Sequence, residues 1–466
     1  MPTLLAGSWR CVLQGAELDC GAQTVREIAE ALRERPCAPL SRKRGAHLDE
    51  GASLAGGGAG LALLFAYLAD NGTMHCAEEV AEHFMDGAAD AVATVTMEPS
   101  LYCGFTGVAW VAAHLEGRLF DASGEDSNAA VDGVLGTYLV HSPWVGDYDL
   151  VSGLVGIGAY ALERISYPTA RAILARVIDR LDETAERHKE GITWLTPPEL
   201  LPPDHRKVCP RGHYNLGVAH GVPGVIALLA GACAAGVAHT TAMRLLEGAV
   251  EWLLSQRLPA TSPSRFPSWV GPGLTALPAR SAWCYGDPGI ACTLLLAARA
   301  LGEPAWEREA LALAHHAAAR PPQSAGVRDA GLCHGAAGLG HLFNRLYQAT
   351  DETRFAQAAR FWLARALELR RPGHGIAGFA SREVAGDGLD SWVADPGILT
   401  GAAGIALALL AGISSIEPAW DRMLLVSGKA SPSTVPRSRA PRSRTGAGPR
   451  QRQQGGRHEK QAGTEG

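Results

Sequence analysis

One short pattern constrains this chain more than any other: Gly-x-x-Gly followed at once by an apolar stretch. It occurs seven times, beginning at Gly57, Gly104, Gly153, Gly221, Gly286, Gly335 and Gly401. Successive copies are 47, 49, 68, 65, 49 and 66 residues apart, room for two helices and their connections in every interval. The stretches after the second glycine, such as LALLFAYLAD after Gly60, VIALLAGACAAG after Gly224 and IALALLAGI after Gly404, are apolar on most faces and read as buried helices. Between them lie one-sided segments rich in Ala, Glu, Arg and Leu, such as AEEVAEHFMDGAADAV, TAMRLLEGAVEWLLSQR and RFAQAARFWLARALELR, which read as an outer layer. Little of the chain shows the period-2 alternation of a strand. The expected fold is all-α: an (α/α) toroid, or barrel, of about seven helix pairs in two concentric layers, with a Gly-x-x-Gly turn before each inner helix. The glycines are expected to turn the backbone through φ > 0 and to let the inner helices crowd near the axis. Their N-termini then point free N–H groups at one end of the central cavity, where chemistry is expected.

A repeat of this kind turns 466 residues into one large domain rather than three. With 47% hydrophobic and 19% charged residues the chain can bury a large core. No apolar run approaches the roughly 20 residues that span a bilayer; the longest, 401–413, is broken by glycine. The N-terminus lacks the basic start and apolar stretch of a secretory signal, so a cytoplasmic protein with no membrane insertion is expected. Ten cysteines scattered over this length suit reduced thiols or metal ligands better than a disulfide scaffold. The net charge of −5 hides an asymmetry: residues 427–466 hold nine Lys or Arg against two Glu, a local +7 that leaves −12 for the rest. That tail has almost no large apolar residue and reads as disordered, a solvated extension with no specific nucleic-acid role. Three parts are expected: an N-terminal helical segment over 1–49 packing on the toroid, the toroid itself over 50–426, and the basic tail over 427–466.

Two turns differ from the rest by carrying soft metal ligands: Trp283-Cys284-Tyr285-Gly286 and Cys333-His334-Gly335. They open successive repeats, which are neighbours around a toroid, so Cys284, Cys333 and His334 are expected to converge. Two thiolates and an imidazole suit one zinc ion and leave a fourth position open, as in catalytic rather than structural sites.

In these turns the chain resembles the lanthionine synthetase C-like (LanC-like) peptide cyclases. The resemblance rests on Trp-Cys-Tyr-Gly-x-Pro-Gly at 283–289, Cys-His-Gly at 333–335, Ala-His-Gly at 219–221 and the seven glycine turns, and covers roughly residues 50 to 426. It implies an (α/α) toroid and a zinc enzyme that closes (methyl)lanthionine thioether rings in a lantibiotic precursor, adding peptide cysteine thiols to dehydroalanine or dehydrobutyrine residues. The repeats begin near residue 50, which leaves no room for an attached dehydratase, so a separate one is implied as partner. Addition to the alkene creates an enolate that must be stabilised and protonated. By resemblance His220 matches the family's acid/base histidine, although a residue capping an inner helix is also compatible with its position. Arg280 matches a family arginine that polarises a carbonyl or holds a carboxylate; a surface ion pair is the plainer account. Asp149 stands where the family has an aspartate that orients a histidine, with helix capping as the rival. Tyr285 adjoins a zinc ligand and is placed to donate a hydrogen bond, or simply to pack.

Other residues invite a site but do not suit one: His315, His316 and His341 read as exposed or core histidines, Cys103 as structural, and Cys209 with His205 and His213 as a loop cluster lacking a fourth partner. Two further accounts of the same scaffold remain open in the sequence. One is a relative that joins glutathione or another thiol to dehydrated residues in proteins; the other is a zinc-stabilised, non-catalytic module that binds peptides.

Overall fold

The structure, a computed structural model, describes residues 9–35, 50–120, 126–384 and 390–428; the basic tail from residue 429 onward lies outside them. In chain order the helices are α1 (Gly15–Arg33), α2 (Gly58–Asp70), α3 (Ala77–Thr94), α4 (Phe105–Leu115), α5 (Ala129–Tyr138), α6 (Leu154–Glu163), α7 (Pro168–Thr184), α8 (Pro203–Val208), α9 (Val222–Ala234), α10 (His239–Ser255), α11 (Asp287–Leu301), α12 (Pro304–Ala319), α13 (Ala336–Thr350), α14 (Thr353–Glu368) and α15 (Ala402–Ile413).

Seven of them form a closed inner ring. Around it α2 packs on α4, α4 on α6, α6 on α9, α9 on α11, α11 on α13, α13 on α15, and α15 returns to α2. These are the apolar stretches of the repeat, and they are buried on nearly every side: α9 and α15 bury all but one or two residues each. Outside them α3, α5, α7, α10, α12 and α14 each follow their inner partner in sequence. They bury one stripe, as α10 does with Ala242, Leu245, Leu246, Ala249, Trp252 and Leu253. The seventh outer position is filled from the other end of the chain. Helix α1 packs on α15 and α14, and the segment before it is tied to the end of α15 by the amides of Val12 and Leu13 on the Gly412 carbonyl and by the Trp9 indole on the Ala411 carbonyl.

The irregular period has a simple cause. The three long intervals carry small insertions. The hairpin β1 (Glu186–His188) and β2 (Gly191–Thr193), then β3 (Leu195–Thr196), α8 and β4 (His213–Asn215), separate α7 from α9. Strand β5 (Trp269–Val270) joins β3 and β4 in a three-stranded antiparallel sheet of order β3-β4-β5 from the next interval. The hairpin β6 (Ser381–Val384) and β7 (Asp390–Val393) precedes α15.

Each repeat's first glycine is the residue just before an inner helix, as expected. The expected positive φ is not general: among these seven only Gly286 has it, at 116°, and the other six are extended. What requires glycine is close approach. A side chain on the second glycine of every turn would strike the carbonyl oxygen six residues earlier, at 2.5 Å or closer, as Gly338 would strike that of Leu332. The chain thus doubles back on itself before each inner helix, and the turns lie edge to edge. Backbone hydrogen bonds join six of the seven neighbouring pairs: Ala55 to Tyr102, Tyr102 to Val151, Leu150 to Ala219, Cys284 to Cys333, Cys333 to Leu399, and Ile398 to Ala55.

The axis is filled from the opposite end. After α15 the chain forms a short 3-10 helix, Ala419–Leu424, whose Asp421 is fully buried. Asp421 accepts from His341 Nε2 at 2.7 Å and from Arg345 Nε at 2.5 Å, both on α13. Arg422 pairs with Glu163 on α6 at 2.6 Å and reaches His114 on α4. Higher up, the carbonyl of Met423 takes the Tyr102 hydroxyl and that of Leu424 takes the Trp283 indole, both at 2.9 Å. The segment therefore runs up the lumen to the level of the turns.

Candidate functional site

The turns share one register. Counting back from the first glycine of the fifth and sixth turns, Cys284 and Cys333 occupy the same position, two residues before it, and Tyr285 and His334 the next. The amides of Trp283 and Cys284 both approach the Cys333 carbonyl, at 3.2 and 3.4 Å. This pairing brings the two sulfurs together, and the candidate ligand atoms of Cys284, Cys333 and His334 lie within 4.8 Å of one another. Among the described residues no other group of His, Cys, Asp and Glu meets that condition.

The sulfurs interact strongly. Cys333 donates to Cys284, and His334 and Arg280 lie nearby, so the Cys284 thiol is held well below its ordinary value despite burial. Cys333, which keeps the proton, is pushed well above its own by that hydrogen bond and by burial. A second thiolate in so enclosed a place needs a cation between the two. A soft divalent ion held by two sulfurs and an imidazole fits that need and this donor set. His334 is pushed up chiefly by its hydrogen bond to Cys284, and its Nε2 stands 3.7 Å from the buried Asp329, within ion-pair range but too far for a hydrogen bond.

Across the fourth turn, His220 Nδ1 donates to Asp149 Oδ2 at 2.5 Å. The other oxygen of Asp149 accepts the Ser152 amide at 2.7 Å, so Asp149 secures its own turn and holds the imidazole at once; it does not cap α6, whose N-cap is Gly153 with no side-chain bond. Burial pushes the His220 pKa down, but the hydrogen bond and charge of Asp149 more than offset this and leave it raised. His220 does not cap α9; that helix starts at Val222, with Gly221 as its N-cap and no side-chain cap. Its ring stacks on Tyr285, centroids 6.3 Å apart. The Tyr285 hydroxyl accepts from Asn215 Nδ2 at 3.0 Å, which leaves its own proton available. Arg280 is exposed and, among the described residues, makes no ion pair, so the surface-pair account of it is not met. It lies close enough to influence both thiols.

Sequence reasoning missed Asp329 and Asn215. Both lie six residues before the first glycine of their turns, as Arg280 does, and both accept the amide two residues on, that of Gly331 at 2.9 Å and that of Gly217 at 2.8 Å. The register was the signal available. The residues set aside fall elsewhere. His341 is a core histidine on Asp421, His315 pairs with Glu352 at 3.1 Å, and His205, Cys209 and His213 line a small pocket of their own. None of the described cysteines is in a disulfide, and no described helix is long and apolar enough to cross a membrane.

The family model of the lanthionine synthetase C-like proteins matches residues 49–425. The chain belongs to that family. Among its relatives, the nisin biosynthesis protein NisC of Lactococcus lactis subsp. lactis is 23% identical over 336 residues, covering 66% of this chain and 77% of NisC. The structure of a nisin cyclase superposes with a TM-score of 0.68 at 20% identity, covering 87% of this chain and 97% of the cyclase, a likeness of fold. Membership of the LanC-like family and the all-α toroid therefore agree with each other.

Proposed function

We propose that this LanC-like protein is a zinc-dependent cyclase that adds cysteine thiols of a peptide to its dehydroalanine or dehydrobutyrine residues, forming thioether rings in a lanthipeptide precursor. The observation that carries this is the placement of a soft sulfur–sulfur–imidazole cluster and a His–Asp pair on four successive turns at one mouth of the ring, joined by Tyr285.

Cys284, Cys333 and His334 would hold one zinc ion, whose chemistry there is to lower the pKa of a thiol and supply it as thiolate at neutral pH. His220, oriented by Asp149 through Nδ1, keeps Nε2 free to accept the thiol proton. The sulfur joins the β-carbon, the double bond shifts to an enolate, and the same proton returns to the α-carbon. Nothing is oxidised or reduced. Arg280 stands ready to stabilise the enolate oxygen, and Tyr285 steadies the imidazole. The dehydrated residues must come from another enzyme, so a separate dehydratase is the implied partner. The scattered free thiols suit a reducing compartment such as the cytoplasm.

Ring closure leaves the mass unchanged but removes an alkylatable thiol. Incubation with a dehydroalanine- and cysteine-containing peptide should therefore abolish labelling of that thiol. His220→Ala should slow the loss on the order of 10²- to 10⁴-fold while metal content stays that of the parent. Undiminished labelling, or a His220→Ala protein as fast as the parent, would contradict the proposal. Addition of glutathione in place of ring closure would identify an intermolecular thiol transferase.

A further inference from the structure

Beside the candidate site the insertions build a second concavity. Its floor is Cys209, His213 and Trp269, its rim His205 and Val208, and its volume is about 220 Å³. Small-molecule sites run to about 300–1,000 Å³, so this one has room for a side chain rather than a whole ligand. It offers an incoming group no charge partner. No carboxylate lines it. Both nitrogens of His213 are withdrawn: Nδ1 is buried without a partner and Nε2 faces Asn215 Nδ2 at 3.4 Å. Burial, helped by nearby His205 and His220, pushes the His213 pKa to about 4, so this wall is neutral at physiological pH. The faces that remain are aromatic and apolar.

The pocket adjoins the site through packed rings. Trp269 packs on His213 at 5.6 Å and on His205 at 5.9 Å, and meets the Tyr285 ring edge-on at 6.1 Å. Tyr285 in turn stacks on His220 and follows Cys284. Strand β4 carries both His213, in the pocket wall, and Asn215, which holds the Tyr285 hydroxyl. A peptide lying with its reacting residue at Cys284 and His220 therefore passes this concavity within a few residues.

We propose that the pocket of His205, Val208, Cys209, His213 and Trp269 is a specificity subsite taking one large apolar side chain of the peptide substrate, close in sequence to the residue being joined. The subsite rests on the cyclase function proposed above, and its test separates the two. Peptides containing dehydroalanine and cysteine are prepared with a single Phe walked through the positions flanking the cysteine, against an all-Ala reference. Each is measured for the KM of ring closure and, with the cysteine replaced by Ser, for equilibrium affinity by calorimetry. At one position Phe should improve both KM and affinity about tenfold over Ala. In Val208→Trp, which crowds the exposed rim, and in Val208→Asp, which charges it, the Phe and Ala peptides should become alike. Ring closure with no preference for Phe at any position, or a preference that survives both variants, overturns the subsite and leaves the cyclase standing. Selective binding of the Phe peptide that both variants abolish, with no ring closure of any peptide, keeps the subsite and overturns the cyclase.

Discussion

Asp149 divides its two carboxylate oxygens between the turn that carries it and the imidazole of the next turn. The division sets the direction of a pH test. Asp149 raises the His220 pKa against the opposing effect of burial, so Asp149→Asn lowers it. The protonated imidazole that must return a proton to carbon is then lost at lower pH. The alkaline limb of the ring-closure profile should move to lower pH, and the rate at neutral pH should fall on the order of 10²-fold; an unmoved limb would contradict the role. At this scale the three soft ligands were legible, because cysteine and histidine at the turns of adjacent repeats have few other uses. Asp329 and Asn215 were not. An Asp or Asn before a turn usually holds only its own backbone, and the second contacts, of Asp329 with His334 and of Asn215 with Tyr285, exist only once the turns are folded together.

Among the elements, the inner helices and the outer helices α3, α7, α10, α12 and α14 were legible from periodicity alone. Helix α5 was not, because it buries only Asp132 and Leu135, too little stripe to stand out. The 3-10 helix at 419–424 was hidden for the opposite reason. Its adjacent Asp421 and Arg422 look solvated, yet the structure satisfies each with partners on different inner helices. Burial opposes the Asp421 charge, but Arg345 and His341 hold its carboxyl far below the ordinary range. Asp421→Ala would strip buried His341 of its carboxylate and leave Arg345 only the exposed Glu417 as a charge partner. A loss of about 3–5 kcal/mol of stability is expected in denaturant unfolding, and a loss below about 1 kcal/mol would show that the ion pair does not hold the plug. Apart from Gly286, the turn glycines act by close approach rather than by conformational freedom, which a sequence cannot distinguish. Gly338→Ala, whose added carbon would meet the Leu332 carbonyl, should cost more than about 2 kcal/mol; an unchanged melting temperature would mean that the turn yields easily.

For the whole molecule, closure depends on both ends of the chain. The seventh outer helix is α1, packed on α15, a pairing that no local pattern announces because its members are nearly four hundred residues apart. Removing residues 1–35 would uncover apolar surface on α14 and α15. The truncated chain should melt lower and less cooperatively by calorimetry, and an identical transition would show that the ring closes without α1. Closure also keeps the turns in register, and the register makes neighbours of Cys284 and Cys333 across 49 residues of sequence. The most direct test of the account is therefore the zinc content of the purified chain and of a Cys284→Ala, Cys333→Ala double variant, each also assayed for ring closure of a dehydrated, cysteine-containing peptide. About one zinc per parent chain, none in the variant, and ring closure lost with the metal are predicted; a metal-free parent that still closes rings, or a variant that keeps its zinc, would contradict it.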